Sequence, residues 1–440
     1  MISLATRPAT PLLETAASQP LAGGPAWLGT IRDAARQRAL DTGLPTRRHE
    51  AWRFTDLKAL ADTRFVPAVD EAGEALDQRL AEGLGTDGAV DLLVFVNGCY
   101  SASRSSIGAL PKGAFLGGFA GLAASDPAAV RGIFEADTEE RPVADQSFVA
   151  LNTAFFADGL ALVLEPGVRL ERPIHVLHWG EASDPAASHT RSLIRLGAGA
   201  VATLIESFAG TGAYWTNGAT TIELGAEADL NHVRLQDDAA QAFHTASTAI
   251  GIGAKARYDA VSLTLGAALS RHDIHATIDG ERAFCGVSGA YLLAGRQEAT
   301  IATLIEHKAP WGETKEIFKG VVAERGHGVF QGKIKVHRAG QKTDAYQLSK
   351  TVLLGERAVM DAKPELEIYA DDVKCSHGAT VGDLDETALF YLRSRGIEPL
   401  AARRMLIEAF VIDAVDLVRD PMARSYLVDR IGRWLARQKD

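Results

Sequence analysis

Cysteine is scarce in this 440-residue chain, with Cys99, Cys285 and Cys375 the three present. They are far apart, odd in number and form no CxxC pair, which excludes a disulfide framework and a self-contained zinc site. This usage predicts a reducing, cytoplasmic setting, and the N-terminus carries neither the charged region nor the continuous apolar stretch of a signal peptide. No apolar run approaches the roughly 20 residues needed to span a bilayer, so no membrane association is expected. Positive charge is also in deficit: 46 basic residues against 56 acidic ones leave a net charge of −10. Proteins that grip a phosphate backbone gather the opposite balance, and nucleic acid is excluded as a main partner. The phosphate-cradling GxxxxGK[ST] loop is missing, so ATP is not hydrolysed here through a P-loop. Neither a GxSxG elbow nor an HExxH helix occurs.

What is present divides by periodicity into three regions: 1–145, mixed and mainly helical; 146–382, a β core; and 383–440, helical. In the first, Pro25–Leu40 has helical apolar spacing and stops at Gly43 and Pro45. Val90–Asn97 reads as a buried strand closed by Gly98, and Gly117–Ala136 is alanine-rich and reads as helix. The middle region is rich in Val, Ile, Thr, Leu and Gly, with alternating runs such as Thr203–Phe208 and Tyr258–Leu265. A short glycine motif begins at Leu196, Leu224, Ile252 and Asp279, in steps of 28, 28 and 27 residues, and returns at Leu354. Regular steps of this size are the mark of a solenoid, because one coil cannot bury its apolar face alone while stacked coils share a continuous core. Glycine is expected at the corners, where φ > 0 is needed. A regular β-sandwich is the competing arrangement, and the parallel β-helix is preferred.

The last region reads as three helices. One starts at Asp385–Glu386 and ends at Arg395 before Gly396. A second starts near Pro399, with Leu406, Ala409, Phe410, Ala414 and Leu417 on one stripe. A third starts near Pro421, with Tyr426, Leu427, Ile431 and Leu435 in phase and basic Arg430, Arg433, Arg437 and Lys439 towards its end. Spacing alone leaves open whether they cap the solenoid end or form a docking surface.

Among residues able to carry chemistry, His272 and His275 lie three apart, so on a strand they face opposite ways and cannot share one ion; His175 and His178 fail in the same way. Cys375 and His377 differ. Two residues apart, they share a strand face, with Asp371 two further steps back, and together form a soft S/N pair suited to iron or zinc. Two ligands do not complete a four-coordinate site, so the rest would come from another chain or from sulfide. A buried structural cysteine beside a hydrogen-bonded histidine is the plainer reading of the same spacing. Glu365, Glu367 and Asp383 read as solvated.

The stretch Asp371–Gly382 (DDVKCSHGATVG), followed by Leu384–Ile397 (LDETALFYLRSRGI), resembles the SufD family of the SUF iron–sulfur cluster assembly machinery. Glu306–Pro310, Phe330–Val336, Gln341–Gln347, Asp361–Ile368 and His49–Leu57 fit the same family, so the resemblance spans nearly all the chain beyond about residue 45. The VKCSHG wording sets it apart from the paralogous SufB. The resemblance implies a right-handed parallel β-helix between an N-terminal and a C-terminal helical domain. It implies a non-catalytic scaffold that pairs with SufB and binds the ATPase SufC through the C-terminal helices. It implies a nascent, transient iron–sulfur cluster as cofactor; flavin, associated with the assembled family complex, has no site legible in this chain. The family's functional histidine falls on His377, facing a SufB cysteine at the subunit interface, with Cys375 the accompanying thiol. The isolated chain could also form a homodimer. Two other readings compete: a β-helix enzyme acting on polysaccharide, disfavoured by only six tryptophans and no secretion signal, and an adaptor that recruits SufC with His377 merely satisfied in the core.

Overall fold

The computed structural model describes residues 10–21, 23–81, 83–84, 88–136 and 146–437. The chain opens with helices α1 (Pro11–Ser18), α2 (Ala26–Thr42), α3 (Lys58–Ala61) and α4 (Glu74–Ala81), and strands β1 (Val66–Pro67), β2 (Asp91–Val96), β3 (Cys99–Tyr100) and β4 (Ala114–Gly118). Helices α5 (Phe119–Ser125), α6 (Pro127–Ala136) and α7 (Gln146–Phe155) follow. Gly43, at φ 67°, ends α2 as its position predicts. The stretch Gly117–Ala136 is two helices, broken at Asp126–Pro127, and its first two residues close β4.

The solenoid begins with β5 (Leu160–Leu164), β6 (Ile174–Leu196) and β7 (Val201–Leu224). Shorter strands follow in pairs, two to a coil: β8 (Asp229–Asp237) and β9 (Phe243–Ile252), β10 (Arg257–Thr264) and β11 (Leu269–Ile278), β12 (Phe284–Leu293) and β13 (Glu298–His307), β14 (Glu313–Val322) and β15 (His327–Val336), β16 (Asp344–Leu353) and β17 (Val359–Ile368). β18 (Lys374–Gly382) is the last strand. One face is the parallel series β8–β10–β12–β14–β16–β18 and the other is β9–β11–β13–β15–β17. The long β6 and β7 bend through both faces, starting one series through Val201–Ala209 and the other through Trp215–Leu224. Thus the two-short-strands-per-unit pattern holds from β8 onward, whereas the first coils run without a break. The N-terminal strand β2 joins the same sheet, parallel to β6.

Glycine plays a different part at the corners from the one its motif suggests. The motif glycines Gly197, Gly225, Gly253 and Gly280 are not the left-handed residues. A Cβ on each would lie 2.6 Å from Pro166 N, 2.8 Å from Ala198 N, 2.8 Å from Leu224 O and 1.9 Å from Ala254 N, respectively. They are there because the preceding coil passes too close for a side chain. Positive φ falls two residues later, on Gly199, Glu227, Lys255 and Arg282, and continues on Trp311 and Lys342. Each of these backbone N–H groups donates to a carbonyl of the next coil, from Gly199 to Ala226 at 2.8 Å through to Lys342 to Asp372 at 2.6 Å. The strain of a non-glycine left-handed residue is offset by a hydrogen bond repeated coil after coil.

Inside, aliphatic side chains alternate with outward ones and make one core running from Leu93 and Phe95 to Phe330. The outer flank of the first face is apolar too, through Val233, Leu235, Val261, Leu263, Leu292 and Val321. Helices α9 (Pro399–Val415) and α10 (Pro421–Arg437) cover it. The C-terminal helices therefore lie along the side of the solenoid and leave its end open. In α9 the buried stripe is Ala402, Ile407, Val411, Ala414 and Val415. Leu406, Phe410 and Leu417 are half-buried and Ala409 is exposed, so the expected stripe is shifted. The helix is apolar over most of its circumference, and periodicity alone does not choose which side meets the sheet. In α10 the expected Tyr426, Leu427, Ile431 and Leu435 are all buried. Lys439 lies outside the described residues.

Gly280→Ala is expected to destabilise the fold by about 1–3 kcal/mol, since backbone at 1.9 Å must move. Arg282→Gly, at φ 58°, should cost almost nothing or stabilise. Thermal denaturation of the two variants side by side checks the assignment, and equal effects would refute it.

Candidate functional site

The open end of the solenoid is formed by β17 and β18. Among the described residues β17 ladders with β15 and β18 with β16, each on one side only, so both present an edge of unpaired backbone groups. Around that edge Tyr346, Val359, Ile368, Tyr369 and Val381 are exposed. Exposed apolar side chains flanking a free sheet edge are the composition of a surface meant to be covered.

Cys375 and His377 stand on β18 opposite Ala345 and Gln347 of β16, both of which point inward and are buried. They therefore share the line of the solenoid interior at the point where that interior opens to solvent. His377 is exposed. Cys375 is half-buried against Ile334, Val336, Ala345 and Ala370. Desolvation there, with Asp344 nearby, pushes the thiol above its ordinary value. The pair is brought to one face, as spacing requires, but its members differ: a solvent-facing imidazole and a thiol kept neutral by apolar neighbours. Asp371 does not extend the row, because β18 begins at Lys374 and Asp371 sits in the preceding bend. Glu365 and Glu367 are ion-paired with Lys363 and Lys333. Asp385 caps α8 (Glu386–Ser394) through the N–H groups of Thr387 and Ala388. The helix then exposes Phe390 (72 %) and Tyr391 (57 %), while α9 exposes Leu400 and Met405.

The other histidine pairs fall on opposite faces. His272 turns inward to Thr248 Oγ1 at 2.9 Å, and His275 outward to Glu306 Oε2 at 2.9 Å. His178 turns inward to Glu206 and stacks on Phe208, whereas His175 turns outward to Ser207 Oγ and the backbone of Leu84. Among the described residues no group of three or more His, Cys, Asp or Glu could hold a metal by itself.

Two polar clusters escaped sequence reasoning because each joins members from more than one coil. Inside, Glu206 takes His178 Nε2 at 3.2 Å and His232 Nε2 at 2.8 Å. Burial would push its carboxyl up, but the two imidazoles hold it well below the ordinary range. Next to it Asp238 receives Gln236 and Tyr214, with His244 Nδ1 3.0 Å away. Outside, Glu306 receives His337 Nε2 at 2.9 Å and His275 Nε2 at 2.9 Å, and lies 3.0 Å from Lys335 Nζ. Burial opposes this charge too, yet these donors outweigh it and hold the carboxyl at about 2. Any register slip would separate such partners, so both clusters read as pins for the stacking.

Comparison with known proteins places these features. The family described as "SUF system FeS cluster assembly, SufBD core domain" matches residues 178–410, and "SufBD protein N-terminal region" matches residues 22–176. An iron–sulfur cluster assembly SufBD family protein of Synechocystis is 34 % identical over 387 residues, covering 85 % of this chain and 84 % of the relative. The iron–sulfur cluster assembly protein SufD of Escherichia coli is 32 % identical over 406 residues, covering 91 % of each chain. Protein ABCI7, chloroplastic, of Arabidopsis thaliana is 29 % identical, covering 88 % of this chain and 82 % of the relative.

Two outcomes follow from the electrostatics. In the isolated folded chain at pH 7, iodoacetamide should modify Cys375 slowly, with the rate still rising above pH 9, and Cys285 only on unfolding. Fast modification at pH 7 would mean a thiolate and overturn the neutral-thiol assignment. The stabilisation due to Glu306 should be complete above about pH 4.5 and disappear as pH falls through about 2. Glu306→Gln should accordingly lower the melting temperature at pH 6 and converge on the parent near pH 2.

Proposed function

The chain belongs to the SufBD family of SUF-system iron–sulfur cluster assembly proteins, and from that footing we propose that it is a cytoplasmic, non-catalytic scaffold on which clusters are built with a second, SufB-type subunit. The observation that carries the proposal is the open solenoid end, where an unpaired double edge and a patch of exposed apolar side chains surround His377. A second β-helix laid against β17 and β18 would satisfy the free N–H and C=O groups and cover Tyr346, Val359 and Val381. His377 would then stand at the seam with an imidazole nitrogen free for iron, and the missing ligands would come from the partner and from sulfide. The nascent cluster is the cargo of this seam, assembled there and passed on. Cys375 is the second candidate contact. Its apolar packing suits a thiol that becomes a ligand only when a metal or cationic neighbour draws off its proton.

The same reading gives the C-terminal helices two tasks. One face of α9 and α10 is spent on the flank of the solenoid, which fixes them rigidly to the β core. Across α8 and the start of α9, Phe390, Tyr391, Leu400 and Met405 form an unburied surface suited to a SufC-type ATPase. Exposed aromatic and methionine side chains have the composition of a protein interface. ATP hydrolysis belongs to that partner.

Co-expression with SufB- and SufC-type subunits tests the proposal. In the complex carrying His377→Ala, acid-labile sulfide and iron recovered anaerobically should fall by at least about tenfold, with subunit stoichiometry by size-exclusion chromatography unchanged. Parent-level iron and sulfide in that complex would remove His377 from the site.

A further inference from the structure

The register of the final coils puts His377 at the mouth of a buried polar lane. Glu316 on β14, Gln347 on β16 and His377 on β18 are successive Cα partners, so the three side chains stand on one inward line, about 4.8 Å apart from coil to coil. Glu316 and Gln347 are both fully buried. Gln347 Nε2 donates to Glu316 Oε2 at 2.6 Å, while Gln347 Oε1 is buried and has no hydrogen-bond partner among the described residues. A sealed amide oxygen without a donor is uncommon in a native interior and asks for a reason. The opposite sheet makes room for this amide: a Cβ on Gly332 of β15 would lie 2.2 Å from Gln347 Nε2. Thus Gln341–Gln347 and Phe330–Val336, separate in sequence and both carrying the family resemblance, meet beneath the histidine.

We propose that Gln347, anchored by Glu316, is a positioning residue for His377: in the assembled complex its Oε1, unpartnered among the described residues of the chain alone, accepts the N–H of one imidazole nitrogen and so leaves the other, lone-pair nitrogen facing the open end. The inference rests on the preceding reading of His377 as a contributor to the cluster seam. A histidine that binds metal through one nitrogen is oriented by what its other nitrogen donates to, and an acceptor there fixes both tautomer and ring angle. Among the described residues no strand stacks on β18 beyond the exposed His377, so an acceptor on the coil below is the one its register offers. Glu316 sets which end of the amide is left over, because it accepts from Nε2 and leaves Oε1 as the free acceptor. Burial pushes this carboxyl up to about 7, partly offset by Gln347 and Thr303. Were the lane mere filling, an apolar side chain of equal length would serve a dry interior better than an acid and a half-satisfied amide.

The test uses the full chain co-expressed with SufB- and SufC-type subunits, read by anaerobic iron and sulfide content, subunit stoichiometry and the melting temperature of the chain alone. Gln347→Met should lower cluster content about tenfold without lowering the melting temperature or disturbing assembly. The exchanged pair Glu316→Gln with Gln347→Glu, which again presents an acceptor oxygen to His377, should recover it. Parent-level clusters in Gln347→Met, with His377→Ala inactive, would overturn this inference and leave the seam standing. Parent-level clusters in His377→Ala would sink both. If Gln347→Met fails to fold, the exchanged pair decides: recovery supports positioning, and a folded, assembled but cluster-poor complex refutes it.

Discussion

In-register stacking of parallel coils is the constraint on which everything else in this molecule depends. Once β8 lies on Val201–Ala209 with Asp229 opposite Val201, each later strand inherits its place. A side chain's neighbours then come from the coils above and below rather than from its own surroundings in sequence. The corners enforce the register from outside through the column of left-handed residues, each donating to the coil that follows. The motif glycines enforce it by permitting the backbone approach that this column needs. A slip by one residue would turn each inward side chain outward.

Polar groups placed inside such a stack are demanding, since each must find its partner on its own coil or the next. Glu206 with its two imidazoles and Asp238 with Tyr214, Gln236 and His244 meet that demand within a few ångströms. Their lost hydration is offset by interactions that exist in one register alone, which favours specificity of fold over raw stability. Near the open end Gln347 keeps one buried amide oxygen without a partner among the described residues. Unpartnered buried polar atoms also occur deeper in the stack, as at Gln236 Oε1 and His178 Nδ1; what sets Gln347 apart is its place one coil below the edges of β17 and β18.

The two flanks of the solenoid differ for a related reason. Where outward positions are apolar, as at Val233, Leu235, Val261 and Leu263, the chain's own helices α9 and α10 cover them. On the opposite face Trp215 and Leu269 are covered by the N-terminal helices through Leu12, Ala35, Trp52 and Phe148. Among the described residues no helix covers the β17–β18 end, and α9 and α10 are held at the side by this packing.

Much of this was legible in order along the chain. The near-28-residue recurrence announced stacked coils, because a repeat whose apolar face cannot be buried alone must stack. Helix limits at Gly43, Asp385 and Gly396 followed from local capping rules, and the two-residue spacing of Cys375 and His377 put them on one face whatever the surroundings. Sequence could not say which side of α9 meets the sheet, nor that the motif glycine serves close approach while positive φ passes to Glu227, Lys255 and Arg282. It also gave no sign that Glu316 and Gln347 stand below His377, 61 and 30 residues away along the chain. Periodicity within a strand is a property of the local backbone and can be read from one segment. Alignment between coils depends on every corner and bulge in between, and three-dimensional packing alone decided it.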